Sequence, residues 1–107
     1  MNTINAHELK NRLEAGDCLL LVNAMEENKF RALHIPGSMN LYKKEDIENK
    51  LKKDDEIIVY CTDQACNKSV LMYQLLEAMG YRHVCRFAGG LREWEEAGYP
   101  LEGEMVR

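Results

Sequence analysis

Two cysteines, Cys61 and Cys66, stand with four residues between them in the stretch Tyr60-Cys61-Thr62-Asp63-Gln64-Ala65-Cys66-Asn67-Lys68-Ser69. The run Ile57-Ile58-Val59-Tyr60 before them reads as a buried strand, and an apolar helix pattern follows from about Lys68. A thiol at a strand's end that faces a helix N-terminus lies among backbone N–H groups, which favour negative charge and bias the thiol toward thiolate. That is the setting for a nucleophile that attacks an anion. The pair is too widely spaced for the C-x2-C half of a common zinc site, and His7, His34 and His83 are scattered, so no metal site is expected. A disulfide between the two requires Cα atoms within about 7 Å, which a loop folded around an anion nest allows.

The elements that must hold this loop alternate along the chain. Asn5 and Glu8 fit a capping box, with Ile4 and Leu9 as the staple, so a helix is expected through about Glu14, stopped by Gly16. Leu19 to Val22 reads as a buried strand. Residues 26–33 give a short helix or turn, with Phe30 and Leu33 inward. His34-Ile35-Pro36-Gly37-Ser38 is a turn, and Met39 to Leu41 a short strand. Residues 43–53 carry both charge signs around Ile47 and Leu51, as a solvated helix with a thin apolar stripe does. The helix after the cysteine loop carries Val70, Leu71, Tyr73, Leu75, Leu76 and Met79 up to Gly80. A strand near His83 to Phe87 follows, then a helix opened by Gly89-Gly90 and containing Leu91 and Trp94. Such alternation predicts an α/β fold: one domain over 1–107, with a central, mainly parallel sheet flanked by helices on both faces. In such sheets the functional crevice lies at the carboxyl ends of the strands, where Cys61 falls.

Composition narrows the function classes. The chain has 107 residues, 46% of them hydrophobic, enough for a core without disulfide staples. Fourteen basic against 18 acidic residues leave a net charge of −4, which argues against nucleic acid or an anionic membrane as partner. The longest aliphatic run, Leu19 to Val22, is far too short to span a bilayer. Residues 1–5 carry neither a basic n-region nor an apolar h-region, so a cytoplasmic location is expected. Cys18 and Cys85, in or beside strands, are expected to be buried small hydrophobes.

Four segments, in order, carry a family resemblance over nearly the full length. His34-Ile35-Pro36-Gly37-Ser38-Met39-Asn40 is similar to an HIPGA-x-N turn. Val59-Tyr60-Cys61 is similar to an active-site strand and its cysteine. Leu75 to Tyr81 matches LxxxGY, and Gly89-Gly90-Leu91-Arg92-Glu93-Trp94 matches a GG-x3-W ending. The chain resembles a single-domain rhodanese-like sulfurtransferase, in the variant with two loop cysteines, C-x4-C-x2-S. The resemblance implies a thiosulfate:cyanide sulfurtransferase-type enzyme in which Cys61 carries a persulfide between a small sulfur donor (thiosulfate, polysulfide or persulfide) and a thiol acceptor, a protein thiol included. Sulfur serves as both nucleophile and leaving group, so no cofactor is implied. The loop Thr62, Asp63, Gln64, Ala65 and Asn67, with Lys68 and Ser69, is implied as the substrate-binding segment, holding the persulfide anion by its N–H groups.

The departures define open readings. The family's loop usually runs C-x4-R/K-S; here Cys66 takes the basic position and Lys68-Ser69 is displaced by two residues. Asp63 adds a charge that repels a dianion such as thiosulfate. Cys66 has three readings: a thiol that resolves the Cys61 persulfide, a redox lock against over-oxidation, or a space-filler under the loop. Lys68 either lowers the thiolate pKa or guides anions, or is an ordinary solvated residue in a helix's first turn. The family's D-x-R after the first long strand is replaced by Asn23 and Met25, both members together, a structural change that leaves no orphan charge. His34 reads as a holder of its turn, and Tyr60, Tyr73 and Trp94 as core. Three other classes compete with the enzyme: a non-catalytic binding or sulfur-carrier module, a Cys61/Cys66 dithiol redox protein, and an oxyanion-binding phosphatase or arsenate reductase. The last needs an arginine closing the loop, and none lies between Arg31 and Arg82.

Overall fold

The computed structural model describes residues 1–106. The chain alternates strands and helices: β1 (Thr3–Ile4), α1 (Ala6–Glu14), β2 (Leu20–Asn23), α2 (Glu27–Ala32), β3 (Met39–Asn40), α3 (Lys44–Lys50), β4 (Glu56–Tyr60), α4 (Lys68–Ala78), β5 (His83–Phe87) and α5 (Gly90–Glu96). The five strands form one sheet in the order β1-β5-β4-β2-β3, and every pairing is parallel. The α/β expectation is met. The two-residue edge strands β1 and β3 leave little open edge to pair with another chain.

Strand alternation divides the core between two faces. Val22, Ile57, Val59 and Val84 point to the side covered by α3 and α4, where they meet Ile47, Leu51, Met72, Tyr73 and Leu76. Leu21, Ile58, Tyr60 and Phe87 point to the other side, against Ala6 and Leu9 of α1 and Leu91 and Trp94 of α5. Central strands covered on both faces need continuous apolar runs, which is why β4 reads Ile57-Ile58-Val59-Tyr60. Each such side chain, fully buried, contributes about 1.5–3 kcal/mol.

Local signals set the ends of these elements. The Asn5 side chain accepts the Glu8 N–H at 2.8 Å and so caps α1. The Glu93 carboxylate of α5 accepts the Ala6 N–H, joining the starts of two helices on one face. Cys18 departs from expectation. The strand begins at Leu20, so Cys18 lies exposed in the turn after α1, while Cys85 on β5 is half-buried. Tyr60, wholly buried, ties the sheet to the 34–38 turn: its hydroxyl accepts the Ile35 N–H at 3.0 Å and lies 2.8 Å from Ser38 Oγ. Among the described residues no helix is long and apolar enough to cross a membrane.

Candidate functional site

Cys61 follows the last residue of β4, and two elements fix the backbone that leaves it. The first N–H groups of α5 point at it: Leu91 N–H donates to the Cys61 carbonyl at 3.0 Å, and Arg92 N–H to the Thr62 carbonyl at 2.9 Å. This close docking needs a glycine. Gly90 has φ +60°, and a Cβ there would stand 2.3 Å from the Cys61 carbonyl oxygen. Beyond Thr62 the loop folds on its own carboxylate. Asp63 Oδ1 accepts the N–H groups of Ala65 and Cys66 at 3.0 and 3.1 Å, an Asx-type turn. Asp63 therefore takes up donors that an open anion nest would offer to a ligand.

The loop brings the two thiols together, both as free cysteines. Cys61 is 1% exposed, whereas Cys66 is half-buried and nearer the surface. The Cys61 thiol lies 3.3 Å from Ser69 Oγ and 3.5 Å from the Cys66 carbonyl. Burial pushes the Cys61 thiol up, and the neighbouring Cys66 adds to this; the Ser69 hydroxyl and backbone N–H only partly oppose them. Burial also acts on Cys66, but there it is outweighed. The hydrogen bond from Cys61, the N–H groups of Lys68 and Thr62, and the Lys68 charge together bring Cys66 below an ordinary cysteine. The expected thiolate bias of Cys61 is thus corrected for the resting pair. Burial disfavours the Cys61 thiolate, while the loop donors and the Lys68 charge favour the Cys66 thiolate.

The fold and the four ordered segments coincide with one known domain. Residues 5–97 match the rhodanese-like domain family. The chain belongs to that family. A rhodanese-like domain from Anabaena superposes with a TM-score of 0.89 at 28% identity, covering 98% of this chain and 81% of that one. A thiosulfate sulfurtransferase from Pseudomonas aeruginosa superposes with a TM-score of 0.83 at 22% identity, covering all of this chain and 21% of that one, and so shares the fold. In sequence, an HTH-type transcriptional regulator of Mycobacterium tuberculosis is 32% identical over 103 residues, 94% of this chain. This chain spans about half of that curated relative, 45% of its length.

Within this rhodanese-like domain the other singled-out residues lie along the loop, beneath it or in the core. Thr62, Gln64, Ala65 and Asn67 are exposed along the loop, and Ser69 is buried beneath it. Lys68 opens α4 and forms an ion pair with Glu26 at 3.2 Å, and its charge favours the Cys66 thiolate. The replaced D-x-R pair is structural. Asn23 Oδ1 accepts the Met25 N–H at 2.8 Å, and the buried Met25 sulfur lies near the Asn23 amide and the Thr62 hydroxyl. His34 is stacked on Phe30, with Nδ1 at 2.7 Å from the Phe30 carbonyl. Trp94 is core, its indole N–H donating to the Pro100 carbonyl at 2.8 Å.

Sequence reasoning missed Arg86. This residue of β5 lies under the start of α4, where its Nε donates to Ser69 Oγ at 2.8 Å and its Nη2 faces the carbonyls of Gln64 and Cys66 at 3.5 and 3.4 Å. The available signal was an arginine in an inward phase of a strand that pairs on both edges.

Proposed function

We propose that this domain is a sulfurtransferase that carries a sulfane sulfur on Cys61 and passes it to a thiol, in a cytoplasmic setting. The observation that supports the reading most is the position of the Cys61 sulfur. It lies at the carboxyl end of a central strand, beside the Ser69 hydroxyl and N–H and in contact with a second thiol of lowered pKa. Cys66 thiolate takes the Cys61 proton, so Cys61 attacks the outer sulfur of a donor X–S–SH. The donor's S–S bond breaks, X–S⁻ leaves, and Cys61–S–SH forms. Cys66 then attacks the inner sulfur of that persulfide. A Cys61–Cys66 disulfide forms, hydrosulfide leaves, and an external thiol reductant returns both cysteines to the free state. In the absence of that second attack, an acceptor thiolate takes the outer sulfur directly.

Donor choice follows from the loop. Asp63 holds the Ala65 and Cys66 N–H groups and brings its own negative charge, so an uncharged or singly charged persulfide or polysulfide suits the site better than the thiosulfate dianion. The Asp63→Asn protein keeps the oxygen that accepts both N–H groups and loses the charge. Its loading from thiosulfate should rise on the order of tenfold, about 1.4 kcal/mol of relieved repulsion. Polysulfide loading should change much less. Equal responses to both donors would show that Asp63 does not select between them.

The experiment that tests the function is intact mass after exposure to polysulfide, with peptide mapping of the modified cysteine. A gain of one sulfur atom mapped to Cys61 is the expected result. A loss of two hydrogens with no sulfur-loaded species at any time would instead support the dithiol redox reading, which the contact between the two thiols favours. No mass change at all would leave a binding module.

A further inference from the structure

Arg86 is 8% exposed, and none of the described carboxylates lies within ion-pair distance of it. Its hydrogen bonds go only to neutral oxygens: the Ser69 hydroxyl and the two loop carbonyls. A buried guanidinium without a counter-ion is unfavourable unless an anion forms beside it. Ser69 Oγ, 2.8 Å from Arg86 Nε, is itself 3.3 Å from the Cys61 sulfur. While Cys61 is a thiol, its S–H donates to Ser69 Oγ beside the Arg86 N–H. Once Cys61 is an anion, the Ser69 hydroxyl can turn its own proton to the sulfur, and the guanidinium on the same oxygen strengthens it as a donor.

We propose that Arg86 is a positioning residue for the Cys61 reaction: through Ser69 it supplies the buried positive charge that the Cys61 thiolate and its persulfide anion require. It acts through Ser69 and does not touch the reacting sulfur. Its fork to Gln64 and Cys66 also holds the far half of the loop, as α5 holds the near half. The consequence for the cycle is directional. A persulfide anion at Cys61 gives Arg86 a counter-charge, whereas a Cys61–Cys66 disulfide removes it, so Arg86 favours the sulfur-loaded state over the disulfide. The balance is Cys61–S–S⁻ plus Cys66–SH giving the disulfide and HS⁻, with the outer sulfur reduced, the Cys66 thiol oxidised and the Cys61 sulfur unchanged in oxidation level.

This inference rests on the sulfurtransferase reading for its purpose, but its test does not. The charged groups near Cys61 are few. Cys66 comes from the loop, Lys68 from α4 is tied to Glu26, Asp63 is turned onto loop N–H groups, and Arg86 comes from β5. From α5, Gly90 and Leu91 bring no charge, Glu93 is committed to Ala6, and Arg92 borders the outer side of the loop as an exposed group paired with Glu96 at 3.4 Å. The measurement is the pH dependence of Cys61 alkylation by iodoacetamide in a Cys66→Ser background, followed by mass. Arg86→Met should move the midpoint up by about one pH unit or more. Arg86→Lys, which keeps the charge and loses the fork, should restore most of the midpoint. With Ser69→Ala also in the background, Arg86→Met should no longer move the midpoint, because the coupling runs through that hydroxyl. In the Cys66-containing protein, Arg86→Met should lower the yield of Cys61 persulfide relative to disulfide on the order of tenfold. A folded Arg86→Met protein with an unchanged midpoint would overturn the proposal and leave Arg86 as a loop brace. If Cys61 of the parent takes up no sulfur while the midpoint still shifts, the sulfurtransferase reading fails and the electrostatic role stands.

Discussion

Replacing Cys61 with serine should remove sulfur uptake from polysulfide completely, while replacing Cys66 with serine should leave uptake and remove sulfide release. The two thiols are not equivalent, and the difference is physical. Cys61 is enclosed, with its sulfur held by Ser69 and backed by the Arg86–Ser69 hydrogen bond. Cys66 is nearer the surface, and the N–H groups of Thr62 and Lys68 bring it below an ordinary cysteine. A low pKa makes a thiol abundant as thiolate but a weaker attacking group, and a better leaving group. Cys66 therefore suits proton removal, and its place beside Cys61 with a high thiolate fraction lets it make the second attack despite its lower nucleophilicity, while Cys61 suits holding a sulfur that must be shielded from other thiols. The Cys66→Ser protein should load sulfur with a steeper dependence on pH: its remaining thiol, raised by burial, becomes reactive only as pH climbs past the ordinary cysteine range. Released sulfide, assayed against time, and intact mass of both variants check this. The reverse pattern, with uptake lost in Cys66→Ser and kept in Cys61→Ser, would exchange the roles of the two cysteines. Serine in place of Cys61 fits the space, and melting should stay close to that of the parent.

The sequence reading reached the elements better than the electrostatics. The β4 run, the Asn5 cap and the Gly89-Gly90 opening of α5 are local signals, each sufficient to place an element end. Cys61 at a strand's carboxyl end follows from them. The state of the thiol did not. A helix N-terminus argues for thiolate from one field alone, and burial of Cys61 together with a second thiol outweighs that field. Asp63 was legible as a charge but not as the group around which the loop folds, since that depends on the loop's own backbone path. Arg86 lies 25 residues beyond Cys61 and reaches the site only because β5 pairs with β4 in a fixed parallel register, Val59 opposite Arg86. No local pattern carries that register. Cys18 failed for a smaller reason: the apolar run continues through it in sequence, but the strand starts two residues later.

Gly90→Ala should uncouple the loop from the sheet, with a loss of stability and a larger loss of sulfur loading. Gly90 adopts φ +60°, and its missing Cβ is replaced by the Cys61 carbonyl oxygen at 2.3 Å and the Thr62 carbonyl carbon at 2.9 Å. Both obstacles are backbone, in the segment that the Leu91 and Arg92 N–H groups hold. Neither can swing aside as a flexible side chain does, so α5 or the loop must shift. The left-handed conformation itself costs roughly 1–2 kcal/mol for a residue with a Cβ. With the clash added, a total of about 4 kcal/mol is expected, which belongs with the severe single substitutions. At roughly 5 °C per kcal/mol for a domain of this size, melting should fall by roughly 20 °C. Gly80→Ala separates strain from contact. Gly80 also has a left-handed φ, +92°, but nothing lies within 4 Å of its would-be Cβ. That variant should lose only the conformational part and load sulfur at the parent's rate under native conditions. Gly90→Ala, assayed well below its own melting point, should load at least about tenfold more slowly, because a shift of about 1 Å in a reacting group is enough to slow chemistry by that much or more. Parallel thermal melts and polysulfide-loading rates on both alanine proteins give the comparison. Equal loading by the two would mean that the contact between α5 and the Cys61 carbonyl stabilises the fold without positioning the sulfur.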